Sequence, residues 1–345
     1  MSKARIGVIG AGWWAVANHI PVLKSIEDCQ IVAVNRLGKV ELEKVQEAFG
    51  LERAFEDYRA MLNAVPMDGV VISSPHKFHH EHASAALVKG CHVLIEKPMA
   101  TTARDARDLV QKAKRAEREI VIPYGWNFKP WTDEARRLAT KVGRVEHVVL
   151  QRANALDDLF AGKPMVETEG AMFRPPASTW ADPKAAGGFG WGQLVHPLGL
   201  LFRVLDLVPR EVFALTGQSP AGVDYYDAAV VRFDGGATGS LSGAATLPKG
   251  QPVQIDLRIF GSEGMLLLDI ERERLELRRR DGKDEVIALN AGDGAYACDQ
   301  PLRVLVDICL GRKTNNSAPG ETGMRAVEVL DAMYRSAASG RMEKV

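Results

Sequence analysis

The chain has 345 residues, 46% of them hydrophobic, which is enough for a large core or for two domains. Its 44 Lys and Arg balance its 44 Asp and Glu, so no net charge draws it to nucleic acid or to an anionic membrane. No apolar run reaches the length of a membrane span, "MSKARIGVIGAG" lacks signal-peptide anatomy, and the scattered Cys29, Cys91, Cys298 and Cys309 form no CxxC; the expectation is a cytoplasmic protein with reduced thiols.

Residues 1–123 alternate between two patterns. "RIGVIG" predicts a strand and residues 13–25 a helix; "QIVAVN" predicts a second strand, and "KVELEKVQEAFG" a helix closed by Gly50. "DGVVISS", "CHVLIEK" and "EIVIP" predict further strands, separated by helices over 78–89 and 102–118, the latter capped by Thr101 or Thr102. Strands without polar alternation, set between helices, predict a parallel sheet covered on both faces.

After Pro123 the pattern changes. A helix over 132–141 precedes the partly alternating strand "RVEHVVLQRA". Residues 154–192 are rich in Gly, Pro and Ala and predict long functional loops, followed by a helix over 196–205. Strand-like runs then follow from "EVFALTG" to "RLELRRRDGKDEVIAL", with hairpin turns at "DGG" and "DGK". The second domain, 124–345, is therefore expected to be α+β, with an open-faced, mostly antiparallel sheet. A one-sided apolar sheet needs cover, which predicts a homodimer or homotetramer through that face. The tail predicts an amphipathic helix stopped by Gly340 that can pack back on the first domain.

"VIGAGWWA" places Gly10, Gly12 and Ala15 in the G-x-G-x-x-G/A arrangement, after a strand and at the start of a helix, with Trp13 and Trp14 between them. Gly10 permits the tight turn, Gly12 lets a pyrophosphate approach the backbone, and Ala15 keeps helix and strand close. The free N–H groups of the helix start favour phosphate. A dinucleotide site is the expectation. The second strand ends in "AVNRLGK": no carboxylate stands ready for a ribose 2′-OH, while Asn35, Arg36 and Lys39 do stand there, and a guanidinium can hold a 2′-phosphate. NADP(H) is favoured over NAD(H).

These motifs, with "SSPHKFHHEHASAALVKGCHVLIEKPMA", "GWNFKP", "GRVEHV", "AAGGFGWGQLVH" and the tail "PGETGMRAVEVLDAMYRSAASGR", resemble the glucose–fructose oxidoreductase, inositol dehydrogenase and MocA (Gfo/Idh/MocA) family. The resemblance implies a Rossmann dinucleotide-binding domain followed by an open-faced sheet domain. It implies a nicotinamide-dependent oxidoreductase acting on a sugar, polyol or related hydroxyl or carbonyl compound. It also implies that Ser74, Pro75, His79, Glu96 and Lys97 border the cofactor and that the Lys97–Pro98 bond is cis. Three positions depart from the family pattern: His76 replaces a common Asn, Gly192 occupies the usual aspartate position four residues before His196, and Ala181 follows Trp180.

Lys97 ends a buried strand of a parallel sheet, where ligands bind. Beside an oxidised nicotinamide its amine could bind and polarise the substrate oxygen. His196 is the second catalytic candidate, orienting substrate and passing the proton. His76 and Asn127 join the cofactor set, as does Trp180; Trp126, Arg152, Gln193 and Tyr296 are candidate substrate contacts. No metal is expected in "HKFHHEH". Two other readings fit the same fold: a non-catalytic dinucleotide-binding regulator and an NAD-dependent glycosidase.

Overall fold

The computed structural model describes residues 3–165 and 168–345; Met1, Ser2 and two residues of the expected loop stretch, Val166 and Glu167, lie outside the described residues. The sequence suggests a linear boundary after residue 123, but the two compact units interleave along the chain. The first comprises Met1–Gly125, Pro164–Thr179 and Ala297–Met324; the second comprises Trp126–Lys163, Trp180–Tyr296 and Arg325–Val345.

In the first unit β1 (Ala4–Ile9), β2 (Cys29–Asn35), β3 (Ala54–Phe55), β4 (Gly69–Ile72), β5 (His92–Ile95) and β6 (Ile120–Val121) form a parallel sheet in the order 3-2-1-4-5-6. This is the doubly wound order, and it reverses between β1 and β4, the position at whose carboxyl ends such sheets bind ligands. Val8, Val71 and Leu94 are fully buried because helices cover both faces of these strands. Gly50 ends the helix Lys39–Phe49 in the left-handed conformation, and Thr102 Oγ1 caps the helix Ala103–Ala116 by accepting the Asp105 N–H at 3.1 Å. A helix absent from the sequence reading, Gln300–Cys309, packs against β1, β4 and β5. Its buried Leu302, Leu305 and Val306 recur at helical spacing.

In the second unit β7 (Val145–Ala153), β8 (Pro209–Gln218), β9 (Asp224–Phe233), β10 (Thr238–Ala244), β11 (Gln254–Gly261), β12 (Gly264–Asp269), β13 (Arg274–Arg279), β14 (Glu285–Ala288) and β15 (Glu343–Lys344) form one sheet, in the order 14-13-12-11-7-10-9-8-15. β7 and β10 pair in parallel and the other neighbours are antiparallel. The helix Val195–Val204 packs against β7 and β11, on the face where Leu150, Leu257 and Ile259 are buried. The strands alternate, so residues of the opposite parity face outward. On β8 and β9 these include Leu215, Tyr226 and Val230, exposed by 66%, 51% and 49%. No helix among the described residues is long and apolar enough to cross a membrane.

Candidate active site

The turn after β1 is built by backbone contacts. The N–H groups of Gly10 and Ala11 both donate to Asn35 O, at 3.0 and 2.9 Å. Gly10 has φ +82°, and a Cβ there would lie 2.5 Å from Ser74 N, so only glycine brings this turn against the loop after β4. A Cβ on Gly12 would meet only Arg36 Nη1, at 3.5 Å, and Gly10 O, at 3.9 Å. That face of the turn is open. The helix beyond starts at Trp13, passes through a π-helical turn at Ala15–His19 and continues as Ile20–Ser25. The N–H groups of its first turn have no intrahelical acceptor, and Ala15 is buried on the sheet. An open glycine face beside free N–H donors fits a dinucleotide pyrophosphate.

At the end of β2 the predicted residues separate. Arg36 lies against the glycine turn: Nη1 donates to Ala11 O at 3.0 Å, and the guanidinium stacks 3.8 Å from the Phe173 ring centroid. Burial lowers its pKa. Asn35 is buried and donates both amide hydrogens to the backbone, to Phe55 O and Glu56 O at 3.0 Å each, which ties β2 to the β3 segment. Lys39 stands on an exposed helix face, 3.9 Å from Glu43.

The ends of β4 and β5 are braced together. His79 is fully buried, with Nδ1 2.7 Å from Pro98 O and Nε2 2.6 Å from Ser74 O. Burial lowers its pKa, so the neutral ring donates to one carbonyl at a time. His76 lies edge-on to it. The Ser74 hydroxyl meets His82 Nδ1 at 2.9 Å, and burial pushes His82 down to about 4. His80 turns to Asp108 instead. Among the described residues no group of three or more His, Cys, Asp or Glu side chains gathers as a metal site. Glu96 Oε1 lies 2.9 Å from Nε2 of the buried His19, and its Oε2 accepts the Lys97 N–H at 3.2 Å. Burial opposes a carboxylate there, but His19 and the nearby Lys97 charge outweigh it and keep Glu96 below its usual range. The Lys97–Pro98 bond is cis, and Lys97 is half-buried at the carboxyl end of β5.

The second unit gathers the remaining candidates. Trp126, anchored by Nε1 to Gly294 O at 2.8 Å, lies edge-on to Tyr296 at 4.7 Å and to His196 at 5.6 Å, and those two rings are 5.4 Å apart. Arg152 Cζ sits 5.1 Å from the Trp126 ring centroid. Gln193 Oε1 accepts from Arg152 Nη2 at 2.5 Å and from Asn154 Nδ2 at 3.0 Å. Gln193 therefore holds the arginine. Burial pulls the Arg152 pKa down to about 9. Asn127 is buried and donates to Gly199 O at 3.0 Å, tying its loop to the helix Val195–Val204.

The glycine run before His196 is packed by protein. A Cβ on Gly188 (φ +111°) would lie 2.0 Å from Asp224 Oδ1, and one on Gly190 would lie 2.6 Å from the Tyr334 hydroxyl. Asp224 accepts the Gly190 N–H and the Tyr334 O–H, each at 2.7 Å, and so anchors the π-helical turn Gly190–Leu194. A Cβ on Gly192 would come within 2.9 Å of Trp180 Cζ3 and 3.3 Å of Phe160 Cζ, which leaves no room for an aspartate. Trp180 thus covers Gly192. Burial raises the pKa of Asp224, and burial together with Asp224 raises that of Asp227 well above the carboxylate range.

Residues 4–124 match the family described as "Oxidoreductase family, NAD-binding Rossmann fold", and residues 142–267 match "GFO/IDH/MocA C-terminal domain". The chain belongs to the Gfo/Idh/MocA oxidoreductase family. It is 32% identical over 155 residues to a D-glucoside 3-dehydrogenase of Escherichia coli, a match spanning 45% of this chain and 44% of that protein. It is 26% identical to a myo-inositol 2-dehydrogenase of Thermotoga maritima, over 78% of this chain and 76% of the relative. A levoglucosan dehydrogenase solved with NADH and L-sorbose has the same fold, with a TM-score of 0.78, 17% identity and 99% of each chain covered.

The sequence reading missed several members of these clusters. Phe173 under Arg36, His19 on Glu96, and Asp224 with Tyr334 behind the glycine run are all distant in sequence and carry no local signal. Asn154 was within reach, since it stands two residues from Arg152 and shares its side of the strand end.

Proposed function

We propose that the protein oxidises a carbohydrate-like alcohol, or reduces the corresponding carbonyl, with NADP(H) preferred over NAD(H). The observation carrying this reading is that the open Gly12 turn, Arg36 and the half-buried Lys97 all stand at carboxyl ends of strands in one parallel sheet whose order reverses between β1 and β4. A bound nicotinamide would supply or remove the hydride at the substrate carbon. Lys97 binds the substrate oxygen and takes its proton as the alcohol becomes a carbonyl, returning it in the reverse direction. His196 orients a substrate hydroxyl and passes the proton onward, and Trp126 and Tyr296 offer aromatic faces to the sugar ring. Arg36 exchanges its contact with Ala11 O for a 2′-phosphate. The exposed apolar face of β8 and β9 pairs with a second copy, giving a homodimer or homotetramer. The free thiols, with Cys29 pushed up to about 12 and Cys91 to about 11 by burial, suit a reducing cytoplasm.

A panel of inositols, aldoses and keto-sugars, assayed by nicotinamide absorbance with both cofactors, tests the reading. Turnover with NADP(H) ahead of NAD(H) supports it. Tight dinucleotide binding without turnover on any carbohydrate would favour a regulator instead.

A further inference from the structure

Arg152 is a buried cation with Tyr296, and no Asp or Glu among the described residues, favouring its charge. It is 4% exposed on β7, among strand neighbours such as Leu150 and Ile255 that are fully apolar. Its Nη2 donates to Gln193 Oε1, while Nε and Nη1 are buried and meet no acceptor among the described residues. No Asp or Glu contributes to its electrostatics. The Trp126 face, 5.1 Å away, offsets part of this burial but accepts no hydrogen bond in the guanidinium plane. A leucine would pack better at this position if packing were its whole role. Gln193 and Asn154 nevertheless fix the side chain in place, beside the ring cluster of Trp126, His196 and Tyr296.

We propose that Arg152 binds a carboxylate on the substrate, so that the protein acts on sugar acids, either aldonates or uronates, rather than on neutral polyols. This rests on the oxidoreductase reading above and names its substrate class. Nη2 keeps a second hydrogen, which with Nε–H or with an Nη1 hydrogen forms a paired edge that matches the two oxygens of a carboxylate. The guanidinium carries one positive charge, which a carboxylate monoanion neutralises. Gln193 and Asn154 act as positioning residues for the guanidinium.

The experiment compares D-gluconate, D-glucuronate and D-galacturonate with D-glucose, myo-inositol and D-glucose 6-phosphate. Each is titrated calorimetrically into the cofactor-saturated protein and assayed for turnover, with wild type, Arg152→Gln and Arg152→Lys. Wild type should bind at least one acid about 30-fold or more tightly than the neutral sugars and the phosphate. Arg152→Gln should remove that preference, and Arg152→Lys should restore part of it. Thermal unfolding confirms that each variant is folded; if Arg152→Gln is not, the wild-type ranking and Arg152→Lys decide. Acids that bind without turnover would support the anion site while overturning the oxidoreductase reading. Neutral sugars turned over while no acid binds would overturn the anion site and leave that reading standing. Preference for the phosphate, or a preference for acids unchanged in Arg152→Gln, would also overturn it.

Discussion

Residues 10–15 and residues 187–192 are both glycine-rich, and both lead into a π-helical turn, yet they use their missing side chains in different ways. At Gly12 the space a Cβ would occupy stays open beside helix N–H groups and an arginine. At Gly188, Gly190 and Gly192 that space is filled by Asp224, Tyr334 and Trp180. The first segment therefore presents backbone to a ligand. The second lets a helix settle tightly onto its own sheet, with the proposed site residues Gln193 and His196 beside it. A glycine run marks close approach, and only its neighbours show whether a ligand or the protein itself does the approaching.

The largest effect expected from this contrast belongs to the open side. Lys97→Met keeps much of the side-chain volume and removes the amine. Turnover should fall by roughly two orders of magnitude or more while cofactor affinity stays near wild type. Near-normal turnover would make Lys97 a strand-end surface residue. On the packed side, His196→Asn keeps one hydrogen-bonding group and loses proton transfer. Turnover should drop about tenfold to a thousandfold, and the pH–rate profile should lose the dependence near neutrality that a titrating histidine gives. An unchanged profile would reduce the second segment to a structural role.

Arg36→Ala sharpens the account of the open turn. Removing charge-assisted contacts should weaken NADP(H) binding by roughly 1.5–3 kcal/mol and leave NAD(H) nearly untouched. Equal losses for both cofactors would mean that Arg36 serves Ala11 O and Phe173 alone. The smallest effect concerns the packing behind the second segment. Asp227 is buried beside Asp224 and binds its proton more tightly folded than unfolded. Above the ordinary value of 3.8, the folded state therefore holds more protons than the unfolded chain, and stability declines as pH rises toward the raised folded value. Asp227→Asn should flatten that decline in a series of denaturant titrations across pH, and an unaltered slope would contradict the assignment.

Much of this arrangement was legible before any coordinates, because it rests on local signals. Alternating apolar strands and helices, the Gly10–Gly12–Ala15 spacing and the Glu96-Lys97-Pro98 strand end each reside in a few consecutive residues. Arg152, Gln193, His196, Trp126 and Tyr296 were named one by one from residue type, but nothing in the sequence showed that they form one cluster. The residues that turned inward were harder still. Asn35 and His79 have the chemistry of ligand contacts, and backbone partners distant from them in the chain occupy them, while Asn127 gives Nδ2 to Gly199 O and leaves Oδ1 without a partner among the described residues. The domain boundary was hidden for the same reason: the segment Ala297–Met324 returns to the first unit after every strand of the second sheet except β15 has been laid down.

The contrast between the two glycine segments is tested most directly by a paired measurement on Gly12→Ala and Gly188→Ala. Each variant is titrated with NADPH and NADH and followed through thermal unfolding. Gly12→Ala should keep a melting midpoint near wild type and lose dinucleotide affinity by about tenfold or more, because its Cβ enters the space open to the pyrophosphate. Gly188→Ala, with its φ of +111° and Asp224 in the way, should lose about 2 kcal/mol or more of stability, while its folded fraction binds dinucleotide normally. If Gly12→Ala instead unfolds early with unchanged affinity, or Gly188→Ala remains stable and fails to bind, the open and packed roles assigned to the two turns are contradicted.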